Sequence, residues 1–287
     1  MYDFAENTAP AVQKKVLALH DLSCFGRSSL VPITAILSVL GHQCVPLPTA
    51  VFSTHTAIPG WVCRDLTDSL HPMLAHFGSL ELRFESVYSG FLGSADQIDR
   101  VAEAASLKTP DGLFLVDPVM GDNGAVYTTY TPEMTARMSE LCALADLITP
   151  NVTEAAILLG KQPDTIVRDR AEAEAWALEL GGRYQAQVVL TGLNLHPGKL
   201  TVACCAGDKT EFVEHDCIDG FFPGTGDIFA SVLLGDLLGG RALTDSAARA
   251  AAFVRSCIAF TVSRNADPMR GVLFEPLLGQ LLRPLGA

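Results

Sequence analysis

The chain has 287 residues, 49% hydrophobic and only 18% charged, which supplies a sizeable apolar core and argues against disorder. A formal charge of −12, from 20 basic and 32 acidic side chains, leaves no electrostatic footprint for nucleic acid or an anionic membrane. A phosphate-bearing ligand would then rely on glycine amides, a few basic groups or a bound cation.

The first residues, MYDFAENTAPAVQKK, are polar and acidic, so a loose tail over 1–14 is expected and no secretory signal. No run approaches the ~18 apolar residues of a membrane span. The eight cysteines show no zinc-type CxxC pairing. They read as reduced thiols of a cytoplasmic protein.

In chain order, 15–21 (KVLALHD) reads as a short buried strand, and SSLVPITAILSVLG after it as a helix that stops at Gly41. Strand-like runs recur at 86–88, 113–116, 147–148 and 188–190, with the helical patterns SADQIDRVAEAAS, TPEMTARMSELCALA and RAEAEAWALELGG between them. Such alternation predicts a parallel sheet covered by helices on both faces. LTVACC and EFVEH, joined by AGDKT, then predict a hairpin over 200–215 at the sheet edge. Helices over about 226–238 and 245–263 follow, and no linker interrupts a single domain over 1–287.

Open parallel sheets bind ligands outside the carboxyl ends of their strands. The residues expected there are His20-Asp21, Ser89-Gly90, Asp117-Pro118, Thr149-Pro150-Asn151 and Thr191-Gly192. They are small, polar or turn-forming, as a ligand-binding edge requires.

FFPGTGDIFA (221–230) places Asp227 behind two glycines at the head of an apolar helix. The acid could simply face the helix dipole. Alternatively it is a general base, with Gly224, Thr225 and Gly226 holding the charge of a transferred phosphoryl group. TPNVTEAAILLG fits a capping box of Asn151 and Glu154, or a Glu154 that helps hold Mg²⁺. DPVMGD adds Asp117 and Asp122 to the same edge. PTAVFSTHT reads as a hydroxyl-rich loop carrying Thr49 and His55, able to satisfy its own backbone or to hydrogen-bond a small polar ring. There is no GxxxxGK[ST], GxGxxG after the first strand, or GxSxG, which sets aside Walker-type, dinucleotide-binding and α/β-hydrolase sites.

Together, PGTGD, TPNxxE, DPVMGD and PLPTAVFSTHT resemble the vitamin B6 kinases of the ribokinase-like superfamily, and HDLSCFGRSSL with GTGDIFAS resembles the pyridoxal or pyridoxamine kinase branch. The resemblance implies a three-layer α/β/α fold with a mostly parallel central sheet, and transfer of the ATP γ-phosphoryl group to the 5′-hydroxymethyl of a B6 vitamer. It implies Asp227 as base beside an anion-holding turn of Gly224, Thr225 and Gly226. Asp122 and Glu154 match Mg²⁺ positions, directly or through water, and Asp117, Thr149 and Thr191 a neighbouring region for phosphate and for K⁺ or another monovalent cation. Asn151, Thr191, Gly192 and Thr225 fall on the nucleotide side. Thr49, His55 and Tyr127 fall on the vitamer side, where Asp21 replaces a serine and Phe91 a tyrosine common in the family. A homodimer is implied as well. Hydroxymethylpyrimidine kinase, sharing fold and chemistry, is the nearest alternative, but it tends to carry cysteine after GTG where Asp227 stands here. A sugar or nucleoside kinase and a non-catalytic vitamer carrier are further alternatives, and a carrier has no need of a base.

Overall fold

Consecutive residues of the first strand, β1 (Lys15–Phe25), are buried on opposite sides: Leu17 and Leu19 enter one apolar cluster, Val16 and Ala18 another. A strand dry on both faces needs helices above and below it. The computed structural model, which describes residues 13–282, has that arrangement. After β1 come α1 (Leu30–Val39), β2 (Gln43–Thr54), β3 (Cys63–Asp65), α2 (Thr67–Ser79), β4 (Phe84–Ser89), α3 (Ala95–Ala105) and β5 (Lys108–Val116). Two short strands, β6 (Gly121–Asp122) and β7 (Ala125–Val126), then form a separate flap. The chain continues through α4 (Pro132–Cys142), β8 (Leu147–Ile148), α5 (Val152–Leu158), α6 (Arg170–Tyr184) and β9 (Gln187–Leu193). It ends with β10 (Lys199–Ala206), β11 (Lys209–Asp216), α7 (Thr225–Leu238), α8 (Leu243–Ser263) and two short 3-10 turns.

Nine strands form one sheet in the order β11-β10-β9-β8-β5-β4-β1-β2-β3. The six from β9 to β2 are parallel, and antiparallel strands close both edges. Helices α2 to α6 cover one face, with Leu70, Val101, Met138, Ala155 and Trp176 packed on it; α1, α7 and α8 cover the other with Ile33, Val232 and Phe253. This is the expected three-layer α/β/α architecture with its edge hairpin, β10–β11. Because β2 lies on one side of β1 and β4 on the other, the chain reverses its order at β1. A crevice therefore opens there at the strand ends.

Several expectations are corrected. β1 runs to Phe25 rather than stopping at Asp21, and its pairing with β2 slips between His20 and Leu22. Asp21 thus sits inside the strand at an irregularity, the kind of feature that re-aims side chains beside active sites. PTAVFST is no loop: Thr49, Ser53 and Thr54 belong to β2, and only His55 and Thr56 of that motif follow it. Pro46 and Pro48 disguised the strand, yet β3 pairs only with Ala50 to Phe52, so neither proline is asked for a hydrogen bond on that side. Thr191 and Gly192 likewise lie within β9 rather than after it. Helix α2, broken in sequence by Pro72, and the flap were not anticipated. The tail expected over 1–14 falls, up to residue 12, outside the described residues.

Candidate active site

A cleft of about 710 Å³ opens along the carboxyl ends of the parallel strands. All of the predicted site residues line it except Thr49. Thr49 is wholly buried behind the wall, where its hydroxyl donates to the Phe91 carbonyl at 3.1 Å and its carbonyl accepts from Gln97. Its contribution is to fix Phe91, whose ring meets Phe52 edge-on at 5.8 Å to form an apolar wall. His55 completes that end, its Nε2 donating to the Met269 carbonyl at 2.7 Å. Nothing in the sequence marks Phe52, because PTAVFST reads as a loop although it belongs to β2.

Asp21 is buried, and its two oxygens accept from Ser23 Oγ at 2.8 Å and Ser29 Oγ at 2.6 Å. Burial raises its pKa, while both hydroxyls oppose the shift. Ser29, in the left-handed region at φ 56°, also turns its amide toward Asp227 Oδ2 at 2.7 Å. Two acids from opposite ends of the chain are thereby held by one residue. The only sequence sign of Ser29 was the serine pair before α1.

Asp227 occupies the third position of α7, after Gly224 as N-cap. Its carboxylate does not cap its own helix but reaches Ser29. Burial pushes its pKa up to about 8, with the charges of Asp117 and Asp21 adding to the shift and the Ser29 amide opposing it. The first amides of a helix have no partner within it, so Gly224, Thr225 and Gly226 offer an anion cradle beside this acid. Gly224 is needed there twice over: its φ is 82°, and a Cβ would lie 2.0 Å from the Arg27 carbonyl oxygen.

Across the cleft, Asp117 accepts from Thr149 Oγ1 at 3.0 Å. Asn151 and Glu154 form the capping box of α5, and Glu154 also accepts from the Met120 amide. Both Glu154 oxygens are thus engaged by the backbone, as the structural reading of that motif required. Burial holds Asp117 and Glu154 above the ordinary carboxylate range, and the charge of Asp117 adds to the shift at Glu154. Asp122, in the flap, is raised by burial too. Among the described residues no three His, Cys, Asp or Glu side chains converge into a ready-made metal cluster. The acids instead suit a hydrated cation that brings its remaining ligands with the substrate, as Mg²⁺ does. The flap turns through Asn123 and Gly124, both at positive φ, and the Gly124 amide donates to Thr153 of α5. Tyr127 stands beyond it at the cleft mouth, 40% exposed. Thr191 and Gly192 of β9 also line the cleft, together with Val202 and with the apolar Ala251, Val254 and Ile258 of α8.

The phosphomethylpyrimidine kinase family matches residues 77–270, which carry the acid cluster, the flap and the glycine turn. The chain belongs to this family. A phosphomethylpyrimidine-kinase-like protein of Bacteroides thetaiotaomicron, solved with pyridoxal, is 37% identical with a TM-score of 0.90, covering 96% of this chain and 98% of its own. Pyridoxal kinase of Lactobacillus plantarum is 28% identical with a TM-score of 0.86, over 93% of this chain and 96% of its own. A pyridoxine/pyridoxal/pyridoxamine kinase of Bordetella bronchiseptica is 29% identical over 235 residues, 79% of this chain and 81% of the relative. The family's matched span begins after Asp21, Thr49 and His55, so those three residues lie outside the match.

Proposed function

We infer that this protein is a kinase that transfers the γ-phosphoryl group of ATP to the 5′-hydroxymethyl of a vitamin B6 vitamer, giving the 5′-phosphate and ADP. The observation that carries the inference is Asp227, placed beside the α7 amides and tied through Ser29 to the buried acid Asp21. The relatives named above support a B6 substrate, and pyridoxal in the Bacteroides protein supports it further.

In this reading the vitamer ring packs against Phe52, Phe91 and His55, with Asp21 facing one of its polar substituents. The 5′-hydroxyl points at Asp227, which in its ionised form accepts the hydroxyl proton as the oxygen bonds to the γ-phosphorus and the bond to the β-phosphate oxygen breaks. Gly224, Thr225 and Gly226 hold the equatorial oxygens, while Asn151, Thr191 and Gly192 line the nucleotide path. Asp122 and Glu154 would hold Mg²⁺ through water, beside a monovalent ion such as K⁺ at Asp117 and Thr149; the metal would neutralise phosphate charge. Tyr127 and the flap limit the access of water to the reacting groups. The proposal treats 1–287 as one kinase unit, working as a cytoplasmic homodimer; light scattering and cell fractionation test the last two points.

ADP formation with ATP and Mg²⁺ should depend on pyridoxal, pyridoxamine or pyridoxine. The family name makes hydroxymethylpyrimidine the competing acceptor. Turnover with hydroxymethylpyrimidine alone would replace the B6 reading, and turnover with none of the four would replace both.

A further inference from the structure

Beneath Asp227 lies a histidine that the reaction described above does not use. His20 is wholly buried in β1, and among the described residues neither of its ring nitrogens has a hydrogen-bond partner. Leaving such groups unmade costs about 1–3 kcal/mol each, so a histidine used only as core filler is a poor choice. Its ring stacks edge-on against Tyr88 at 4.4 Å. A second position is given up to seat it: a Cβ on Gly90 would fall 1.8 Å from His20 Cε1, although Gly90 has no positive φ that calls for glycine. The glycine after β4 is therefore there to admit the imidazole.

The ring faces one acceptor of consequence. His20 Nδ1 stands 3.9 Å from Asp227 Oδ1, the oxygen not held by Ser29. Burial pushes the His20 pKa down to about 3, so the ring is neutral and carries one N–H. The other ionisable groups that act on Asp227 are Asp21 from the same strand, Tyr88 from β4, Asp117 after β5 and Tyr127 near the flap. None of these supplies a cation. A neutral N–H donor is the help available from below.

We propose that His20 is a positioning residue for Asp227: its Nδ1–H closes onto Oδ1 when the substrate hydroxyl engages the carboxylate. With Ser29 N–H on Oδ2, the carboxylate plane is then fixed from two sides, leaving a lone pair aimed at the hydroxyl. His20 touches neither substrate nor nucleotide, and it acts only through Asp227. The proposal rests on the kinase reading and deepens it.

The test is a double-mutant cycle in the vitamer-dependent ADP assay, with thermal melting as the control for folding. His20→Phe keeps the ring against Tyr88 but removes the N–H; His20→Asn returns an amide N–H near the Nδ1 position. His20→Phe should lower kcat about 10- to 100-fold while KM for ATP and vitamer stays within about twofold, and His20→Asn should recover most of the loss. In the Asp227→Asn background, His20→Phe should change kcat no further. Native kcat in His20→Phe, equal losses in both single variants, or an additive loss on Asp227→Asn would overturn the proposal. If His20→Phe does not fold, His20→Leu replaces it in the same cycle with the same expected values. A native protein without vitamer turnover would overturn the B6-kinase reading on which the proposal rests, and that result is visible before any variant is made.

Discussion

Ser29 and Asp227, 198 positions apart, meet through a main-chain hydrogen bond of 2.7 Å. The hydroxyl of the same serine holds Asp21. Ser29→Gly keeps the amide and relieves the positive φ, but it frees one oxygen of Asp21. KM for the vitamer should therefore rise by about tenfold, the worth of a hydrogen bond to a charged group, with kcat nearly unchanged. Steady-state kinetics decide the matter, and a fall in kcat at constant KM would contradict this division of labour.

Asp227→Asn should lose turnover by orders of magnitude while still binding both substrates by calorimetry. The same variant carries a stability signature. The carboxyl titrates at about 8 in the folded protein against an ordinary 3.8, so between these values the folded state keeps a proton that the unfolded chain has released. Its stabilising contribution is complete below the lower value and is lost as pH rises through the upper one. The Tm of Asp227→Asn relative to the native protein should thus climb between pH 5 and 9, as melting curves across that range will show. A difference independent of pH would mean that Asp227 is ordinarily ionised.

Two glycines of the same turn should fail differently. Gly224→Ala meets the Arg27 carbonyl oxygen at 2.0 Å and a forbidden φ, so both Tm and activity should fall. Gly226 has open space around its Cβ position and no positive φ, so alanine there should change the free energy of unfolding by no more than about 0.5 kcal/mol and leave Tm nearly native. Its methyl would nevertheless enter the anion cradle, and kcat should drop. Equal losses of Tm in the two variants would refute the distinction.

The Asn151 and Glu154 pair separates capping from cation binding. Asn151→Ala removes the cap of α5 and its bond to the Gly121 carbonyl, costing about 1–2 kcal/mol in denaturant unfolding. Glu154→Gln can accept from only one of the two amides that now share the carboxylate. Some stability should be lost, and the Mg²⁺ concentration for half-maximal rate should rise several-fold if a hydrated ion sits beside it. Loss of stability with an unchanged Mg²⁺ requirement would leave capping as the whole role of Glu154.

The phosphoryl-transfer half of the cleft was more legible in sequence than the vitamer half. Asp227, Asp117 and Glu154 lie in short motifs where a strand ends or a helix begins, and local spacing is enough to place them. The hairpin and the last two helices were readable for the same reason. β2 was not, since prolines and hydroxyls mask a strand whose unpaired positions are set by a partner formed only after folding. For Thr49 the family resemblance implies a ring contact, and only tertiary packing reveals that its hydroxyl donates to Phe91. Ser29 and His20 lie beside Asp227, about two hundred positions away in the chain, a relationship that no local pattern encodes.

The clasp around the vitamer end has a bearing on how the molecule comes into being. Besides the Ser29 bond, His55 is held by Met269 across 214 positions and Arg27 by Glu275 across 248. Contacts of such separation carry the full entropy of closing a long loop and form after local structure is in place. The last 3-10 turns must dock before His55 and the loop before α1 are fixed, so the catalytic groups come into register only when the final segment arrives. Until the turns carrying Met269 and Glu275 have docked, much of the sheet can be built while that end of the cleft stays unclasped.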